Sequence, residues 1–372
     1  MGRKITTDFA VIGSGSFGSW TALELLRRGY RVTLADAHGP ANARASSGGE
    51  TRIIRMSYGT ASHYTEMSMR SLIGWKTLFA FLGRPELFQP SGALFTAPIG
   101  NSHLVASAST LRRLQIPLEN LTESDLRRRY PQLRLPDGCQ GLYEPDSGVL
   151  LARRAVQAVT DQAIRLGATY LQEHFDPLTI TRRISAKAYI FACGPWLPAL
   201  FPDTLRHRIR PTRQNVFFFG STPGNVRFRQ PAMPAWVDFH SGIYALPDIE
   251  NRGFKIAFDA HGPAFDPEHG SRLVPAASLR RIRKQLQAFV PDMADAPLVE
   301  SRVCQYENTS NGDFLIDWLE PGRIMAVGGG SGHGFKHGPA VGQYAADLAE
   351  GRAVPEPFSL ASKQMKRQRT VF

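Results

Sequence analysis

The chain of 372 residues has little cysteine: Cys139, Cys193 and Cys304 only, with no CxxC spacing among them. An odd, unpaired set argues against a disulfide framework or a structural zinc site and for a reducing compartment, the cytoplasm being the expectation. Long apolar runs are missing too. The strongly apolar stretch near the N-terminus, residues 9–12, is too short for a signal peptide or a membrane span. The ten histidines include one HxxxH pair, His333 and His337, and no HExxH; one pair is too few ligands, so no metal set is expected. Neither an internal repeat nor a low-complexity tract is found.

What is abundant is positive charge. The formal balance is +12, much of it in arginine clusters at 127–129, 153–154, 182–183 and 280–281 and in Lys366, Arg367 and Arg369 of the tail. Scattered clusters of this kind are ordinarily solvated helix faces. The same field would draw in an anionic substrate, a nucleic acid or an acidic partner. No aromatic residues interleave with the clusters, which argues against a nucleic-acid platform.

Residues 8–12 (DFAVI) read as a strand, 20–28 as a helix that Gly29 ends, and 31–35 (RVTLA) as a second strand ending at Asp36. Further helices are expected at 63–82, 151–167, 279–289 and 338–350, and buried strands at 187–192 and 323–327. Short β-type runs at 215–220, 243–246 and 254–258 alternate with turns. The fold class is α/β, or α+β overall: a Rossmann-like nucleotide-binding domain with an inserted mixed β-sheet substrate domain. The first domain is assigned 1–85, 140–205 and 300–372, and the second 86–139 and 206–299.

Between the first strand and helix lies GSGSFG, with Gly13, Gly15 and Gly18 in GxGxxG spacing and Asp36 18 residues beyond Gly18. Gly13 permits the tight turn, Gly15 lets backbone approach a pyrophosphate, and Gly18 lets helix and strand pack closely. The helix N-terminus stabilises phosphate charge, and Asp36 would accept from ribose hydroxyls. This motif alone does not separate NAD from FAD. A second glycine-rich strand-to-helix junction, GGGSGHGFK at 328–336, favours FAD. Its backbone N–H groups suit the negative charge that a reduced flavin develops around N1–C2=O.

Taken in order, several segments resemble the glycine/D-amino acid oxidase (DAO) family of FAD-dependent oxidoreductases, in the branch of monomeric sarcosine, N-methyltryptophan and pipecolate oxidases. They are GSGSFG at 13–18, GGETRIIR at 48–55, EPDSGVL at 144–150, ACGPW at 192–196 and RPTRQ at 210–214, followed by FKIAFD at 254–259, CQYENTSNGDFLID at 304–317 and GGGSGHGFK. The resemblance covers nearly the whole chain. It implies a grip on the ADP half of FAD by Gly13, Gly15, Ser16, Phe17, Gly18, Asp36 and Ala37. It implies flavin contacts from Ser46, Ser47, Thr51 and Arg52, and from Gly330, Gly332, His333, Gly334, Phe335 and Lys336. It also implies a thioether from Cys304 to the flavin 8-methyl carbon.

By the same resemblance, Arg55 and Lys336 hold a substrate carboxylate, a role suited to a planar fork and a point charge. Lys255 stands over the flavin and promotes reaction with dioxygen. The chain also departs from the family. Asp259 stands where His is common and would favour a cationic amine or accept its proton; a family member acting on a piperideine carboxylate shares this aspartate. Gly48 replaces a His, Glu307 a Thr, and Ser310-Asn311 a Pro-Asp. Gly194 follows Gly167 by only 27 positions, where the family has a longer meander that contacts adenine.

The expected activity is FAD-dependent oxidation of the C–N bond of a secondary, N-methyl or cyclic amino acid, by hydride transfer to flavin N5. Dioxygen would reoxidise the flavin and give hydrogen peroxide. Two alternatives stand beside it: a tRNA-modifying flavoenzyme of the same superfamily, and an amine dehydrogenase passing electrons to another acceptor.

Overall fold

The computed structural model describes residues 4–364. The basic tail residues Lys366, Arg367 and Arg369 lie outside the described residues. The chain opens with β1 (Phe9–Ile12), α1 (Ser16–Arg27) and β2 (Val32–Ala35), then runs through β3 (Arg52–Ile54) and the long helix α2 (Ser62–Phe81). Next come β4 (Ala93–Pro98), β5 (Glu119–Leu121) and β6 (Cys139–Glu144), followed by α3 (Ala152–Arg165), β7 (Thr169–Leu171) and β8 (Ala188–Phe191). The third stretch holds β9 (Ile209–Phe219), β10 (Ala235–Asp238), β11 (Ile243–Leu246), β12 (Phe254–Phe258), α4 (Ala276–Phe289) and β13 (Leu298–Thr309). It closes with β14 (Leu315–Glu320), β15 (Ile324–Gly328) and α5 (Gly338–Ala349).

Two sheets organise these elements. The first has the order β7-β2-β1-β8-β15-β14, with neighbours parallel except for the β14–β15 pair. Its central strands are apolar but for Thr33 because helices or loops cover both faces: every residue of β1, β2, β8 and β15 is buried. The second, mixed sheet runs β13-β9-β12-β11-β10-β4-β6-β5, with only β10 and β4 parallel among its neighbours. Its strand β13 spans residues 298–309 and so crosses the proposed boundary at 300.

Helix positions follow the apolar spacing closely, and the differences fall at the ends. The first helix starts at Ser16 rather than 20, since the glycine turn leads straight into it, and α4 starts at Ala276 rather than 279. A helix over Ser102–Arg113, capped by Asn101, was not expected; the proline-punctuated composition of that region masked it. Several arginines of the clusters are ion-paired. Arg127, Arg128 and Arg129 meet Glu123 (2.6 Å), Asp125 (2.5 Å) and Glu119 (2.6 Å), and Arg154 meets Glu250 (2.6 Å).

Glycine makes the β1–α1 turn. Gly13 has φ +102°, and a Cβ there would stand 2.4 Å from the Ala192 carbonyl oxygen. A Cβ on Gly18 would meet Gly13 O at 1.8 Å. Gly18→Ala therefore forces the helix off the strand. We expect it to lower stability by about 1–3 kcal/mol, the usual cost of overpacking, read as a lower urea midpoint at unchanged slope.

Candidate functional site

The carboxyl ends of the parallel strands in the first sheet open onto a cavity of about 780 Å³. Crevices of this kind, outside the strand ends, are where open α/β sheets bind ligands. Both glycine junctions reach it. Gly13, Gly15, Ser16 and Phe17 line it from the N-terminal side, and Gly330, Gly332, Gly334 and Phe335 from the C-terminal side. A hydrogen bond from Ser16 Oγ to Phe335 O (3.0 Å) ties the two together. A Cβ at Gly334 would meet Phe17 Cζ and Gly330 Cα, both at 2.8 Å, so glycine is what lets this junction close against Phe17.

Asp36 and Ala37 line the same space. Asp36 Oδ2 accepts from Ser14 N and Oδ1 from His38 N, both at 2.8 Å, which fixes the carboxylate at the end of β2. Ser46, Ser47, Arg52 and Cys304 complete the predicted lining, with Arg52 Nη2 donating to Cys304 Sγ at 3.3 Å. Four predicted cofactor residues do not line the cavity: Gly18, Thr51, His333 and Lys336. Gly18 is spent on packing. Thr51 offers its carbonyl to Lys255, and His333 turns toward Tyr58 OH (Nδ1, 3.4 Å) and Gly312 O (Nε2, 3.1 Å).

A dinucleotide fits this site on its own terms. The cavity touches both junctions, the start of α1 faces it, and the buried Ser46 Oγ on its wall has no partner in the protein. Several lining residues were not expected at the site, and only Trp196 among them lies in a segment with a signal, ACGPW. Glu173, His174 and Phe175 come from the short segment after β7, Trp196 from the turn after β8, and Asp266, Glu268 and His269 from the loop after β12. Trp196 Nε1 donates to Glu268 Oε2 at 2.9 Å, joining two of these loops.

Beyond the cavity lies a second, buried cluster. Arg55, 4% exposed, has its guanidinium carbon 4.3 Å from the centre of the Tyr58 ring. Lys336 Nζ donates to Tyr58 OH and to His333 O, both at 3.0 Å. One phenol thus stands between two cations from opposite ends of the chain. Burial, with the Arg55 charge beside it, pushes the Lys336 ammonium well below its usual range. Burial raises Asp259, while the positive charges of Arg55 and Lys336 oppose that rise. Tyr306 joins the cluster to the cavity, since it lines the cavity and its hydroxyl donates to Asp259 at 3.4 Å.

Lys255 occupies a neighbouring position on β12. Its Nζ donates to Thr51 O (2.9 Å), and burial with the nearby Arg52 charge holds it well below the usual lysine range. Glu144 fixes the backbone beside Arg55: its carboxylate accepts from Met56 N (2.8 Å) and Ser57 N (2.7 Å), and from the hydroxyls of Ser57 and Ser147. Glu144→Ala should leave these buried donors unpaired. The expected loss is about 2–3 kcal/mol in chemical denaturation.

Comparison with known proteins agrees with this architecture. Residues 8–348 match the family described as FAD dependent oxidoreductase, DAO. N-methyl-L-tryptophan oxidase of Salmonella arizonae is 30% identical, over 92% of this chain and 94% of its own. That of Salmonella typhimurium is 30% identical over 93% and 95%. Among solved structures, L-proline dehydrogenase from P. horikoshii superposes with a TM-score of 0.81 at 18% identity, covering 96% of this chain and 98% of that one. NikD, an amino acid oxidase essential for nikkomycin biosynthesis, gives 0.77 at 20%, covering 99% of each chain. Amadoriase I of Aspergillus fumigatus gives 0.76 at 21%, covering 97% and 90%. With two glycine junctions closed on one cavity and a match over most of its length, the chain belongs to the DAO family of FAD-dependent oxidoreductases.

Proposed function

We propose that this protein oxidises the C–N bond of an amine that carries a carboxylate, a secondary, N-methyl or cyclic amino acid, with dioxygen as the acceptor. The observation that carries this reading is the buried group of Arg55, Lys336 and Asp259 around Tyr58 and Tyr306. Two buried cations and one half-buried acid about two tyrosines are the charge pattern of a zwitterionic amino acid reversed. The relatives named N-methyl-L-tryptophan oxidase support the substrate class.

Arg55 and Lys336 would hold the carboxylate, whose negative charge restores to Lys336 the proton that burial disfavours. Asp259 would face the amine and hold or accept its proton. With the carboxylate and the amine both fixed, the α-carbon has one orientation, and that positioning is the protein's main contribution to the rate. Bound FAD supplies the hydride acceptor for the reaction. Gly13, Gly15, Ser16, Phe17, Asp36, Ala37, Ser46, Ser47 and Arg52 would hold it, with Gly330, Gly332, Gly334 and Phe335 on the other side. Cys304 would be its covalent anchor, and Lys255 the cation that assists reaction with dioxygen. Gly18, Thr51 and His333 would support these residues from behind.

Arg55→Met should raise KM for an amino acid substrate by one to two orders of magnitude, about 1.4–2.8 kcal/mol, with a smaller change in kcat. An unchanged KM in a peroxide-release assay would remove the carboxylate assignment. Because Asp259 is raised, kcat/KM should climb with pH through a step above the ordinary carboxylate range, where Asp259 loses its proton and can accept one from the amine. In Asp259→Asn that step should vanish from the pH profile. Acid precipitation tests Cys304: yellow colour in the pellet supports the thioether, and colour wholly in the supernatant excludes it.

A further inference from the structure

Strand β13 carries Glu307 into the wall of the large cavity, where the residue is 7% exposed. Oε1 accepts a hydrogen bond from Gly330 N at 3.1 Å. Oε2 is buried and has no partner. That oxygen looks toward the backbone of both nearby turns: a Cβ would stand 3.2 Å from it at Gly328 and 3.7 Å at Gly194. Glu307 therefore sits where the loop after β15 and the turn after β8 come closest to the cavity. A buried carboxylate with an idle oxygen is costly. In its neutral form the same oxygen carries an O–H that needs an acceptor. The surrounding glycines present no side-chain acceptor, and a ligand in the cavity would supply one.

We propose that FAD binds to the form of the protein in which Glu307 is protonated, with the Oε2 hydroxyl donating to an acceptor atom of the dinucleotide, so that cofactor uptake draws in one proton. The inference rests on the FAD reading of the cavity. The balance is simple: the Glu307 carboxylate gains one proton from solvent, and no bond in the cofactor is made or broken. The carboxyl also has an electrostatic reason to be neutral, since the dinucleotide brings a diphosphate of like charge into the same low-dielectric space.

The groups around Glu307 agree with this. Burial raises its carboxyl to about 7, against the N–H groups of Gly330 and Gly329, which favour the charged form. From the turn after β8 it meets Cys193, whose thiol burial pushes up, with the Asp36 and Glu307 charges adding to that rise. Cys193 therefore brings no positive charge. On β9 its partner in register is Pro211. Along β13 its neighbour Tyr306 is engaged with Asp259, and His333 of the second junction is turned to Tyr58 and Gly312. Below about pH 7 Glu307 already carries its proton and affinity should be flat; above it, each pH unit should raise the dissociation constant about tenfold.

The test uses full-length apoprotein in a Cys304→Ser background, which prevents covalent capture, titrated with FAD at pH 6 and pH 8. Calorimetry in buffers of unlike ionisation heat counts the protons. Close to one proton taken up per FAD at pH 8, a Kd roughly tenfold weaker than at pH 6, and loss of both effects in Glu307→Gln would support the proposal. A proton count and Kd that do not change with pH, or that are the same in Glu307→Gln, would overturn it. Infrared difference spectra of the protein retaining Glu307 decide the matter if the Gln variant does not fold: a protonated-carboxyl band must appear on adding FAD at pH 8, and its absence rejects the idea. Protein that takes up no FAD at either pH would remove the FAD reading itself, an outcome separate from FAD binding without proton uptake.

Discussion

The contact between α1 and α5 governs the rest of the structure. Here residues more than 300 positions apart meet as backbone: a Cβ on Gly338 would fall 2.5 Å from Trp20 Cδ1 and 2.7 Å from Ser16 Oγ, and one on Gly342 would fall 2.7 Å from the Trp20 carbonyl. Only glycine lets the two helices come this close. Trp20 in turn packs edge-on against Trp75 of α2 at 5.0 Å, and Trp75 Nε1 donates to Lys336 O at 2.9 Å. The first helix, the long helix and the C-terminal junction are thereby set against one another. Whatever the cavity holds is placed relative to Lys336 by this joint, and through Tyr58 relative to Arg55.

Local chemistry made part of this legible in the sequence. The first βαβ unit shows because apolar strands, glycine spacing and helical periodicity change over within about thirty residues. The second junction shows because glycines at 328–334 follow a fully apolar run. Cys304, Lys255 and Asp259 carried no such signal of their own; they emerged through resemblance to the family, and the structure places the first two beside Arg52 and the third beside Arg55 and Lys336. Glu173, Phe175 and Glu268 could not be found by pattern. They come from irregular loops, and their arrival at the cavity depends on tertiary approach that no short window of sequence encodes.

The larger sheet was the harder part to read for a similar reason. Short apolar runs such as 139–144 and 235–238 look alike whether they form strands or pieces of buried helix, and β4 pairs with β10 from the far side of the chain. Its arrangement has a clear result: β12 and β13 bring Lys255, Asp259, Cys304, Tyr306 and Glu307 from the larger sheet to meet residues of the smaller one. Side chains alternate along β13, so Tyr306 reaches Asp259 while Glu307 accepts from Gly330 N. A one-residue slip of that strand would exchange the two environments.

The joint of α1 with α5 also orders events during synthesis. When the first glycine turn leaves the ribosome, the opposite wall of its pocket has not yet been made, and roughly 320 residues must follow before Phe335 can accept from Ser16. Until then the chain owns a half-built cleft with glycine backbone exposed along one side. Closing so long a loop costs little more than closing a moderate one, because the entropic penalty grows only with the logarithm of length. The protein can therefore begin its ligand site at one terminus and finish it at the other, and a nascent chain stalled before its second glycine junction lacks one wall of the site that the finished chain encloses.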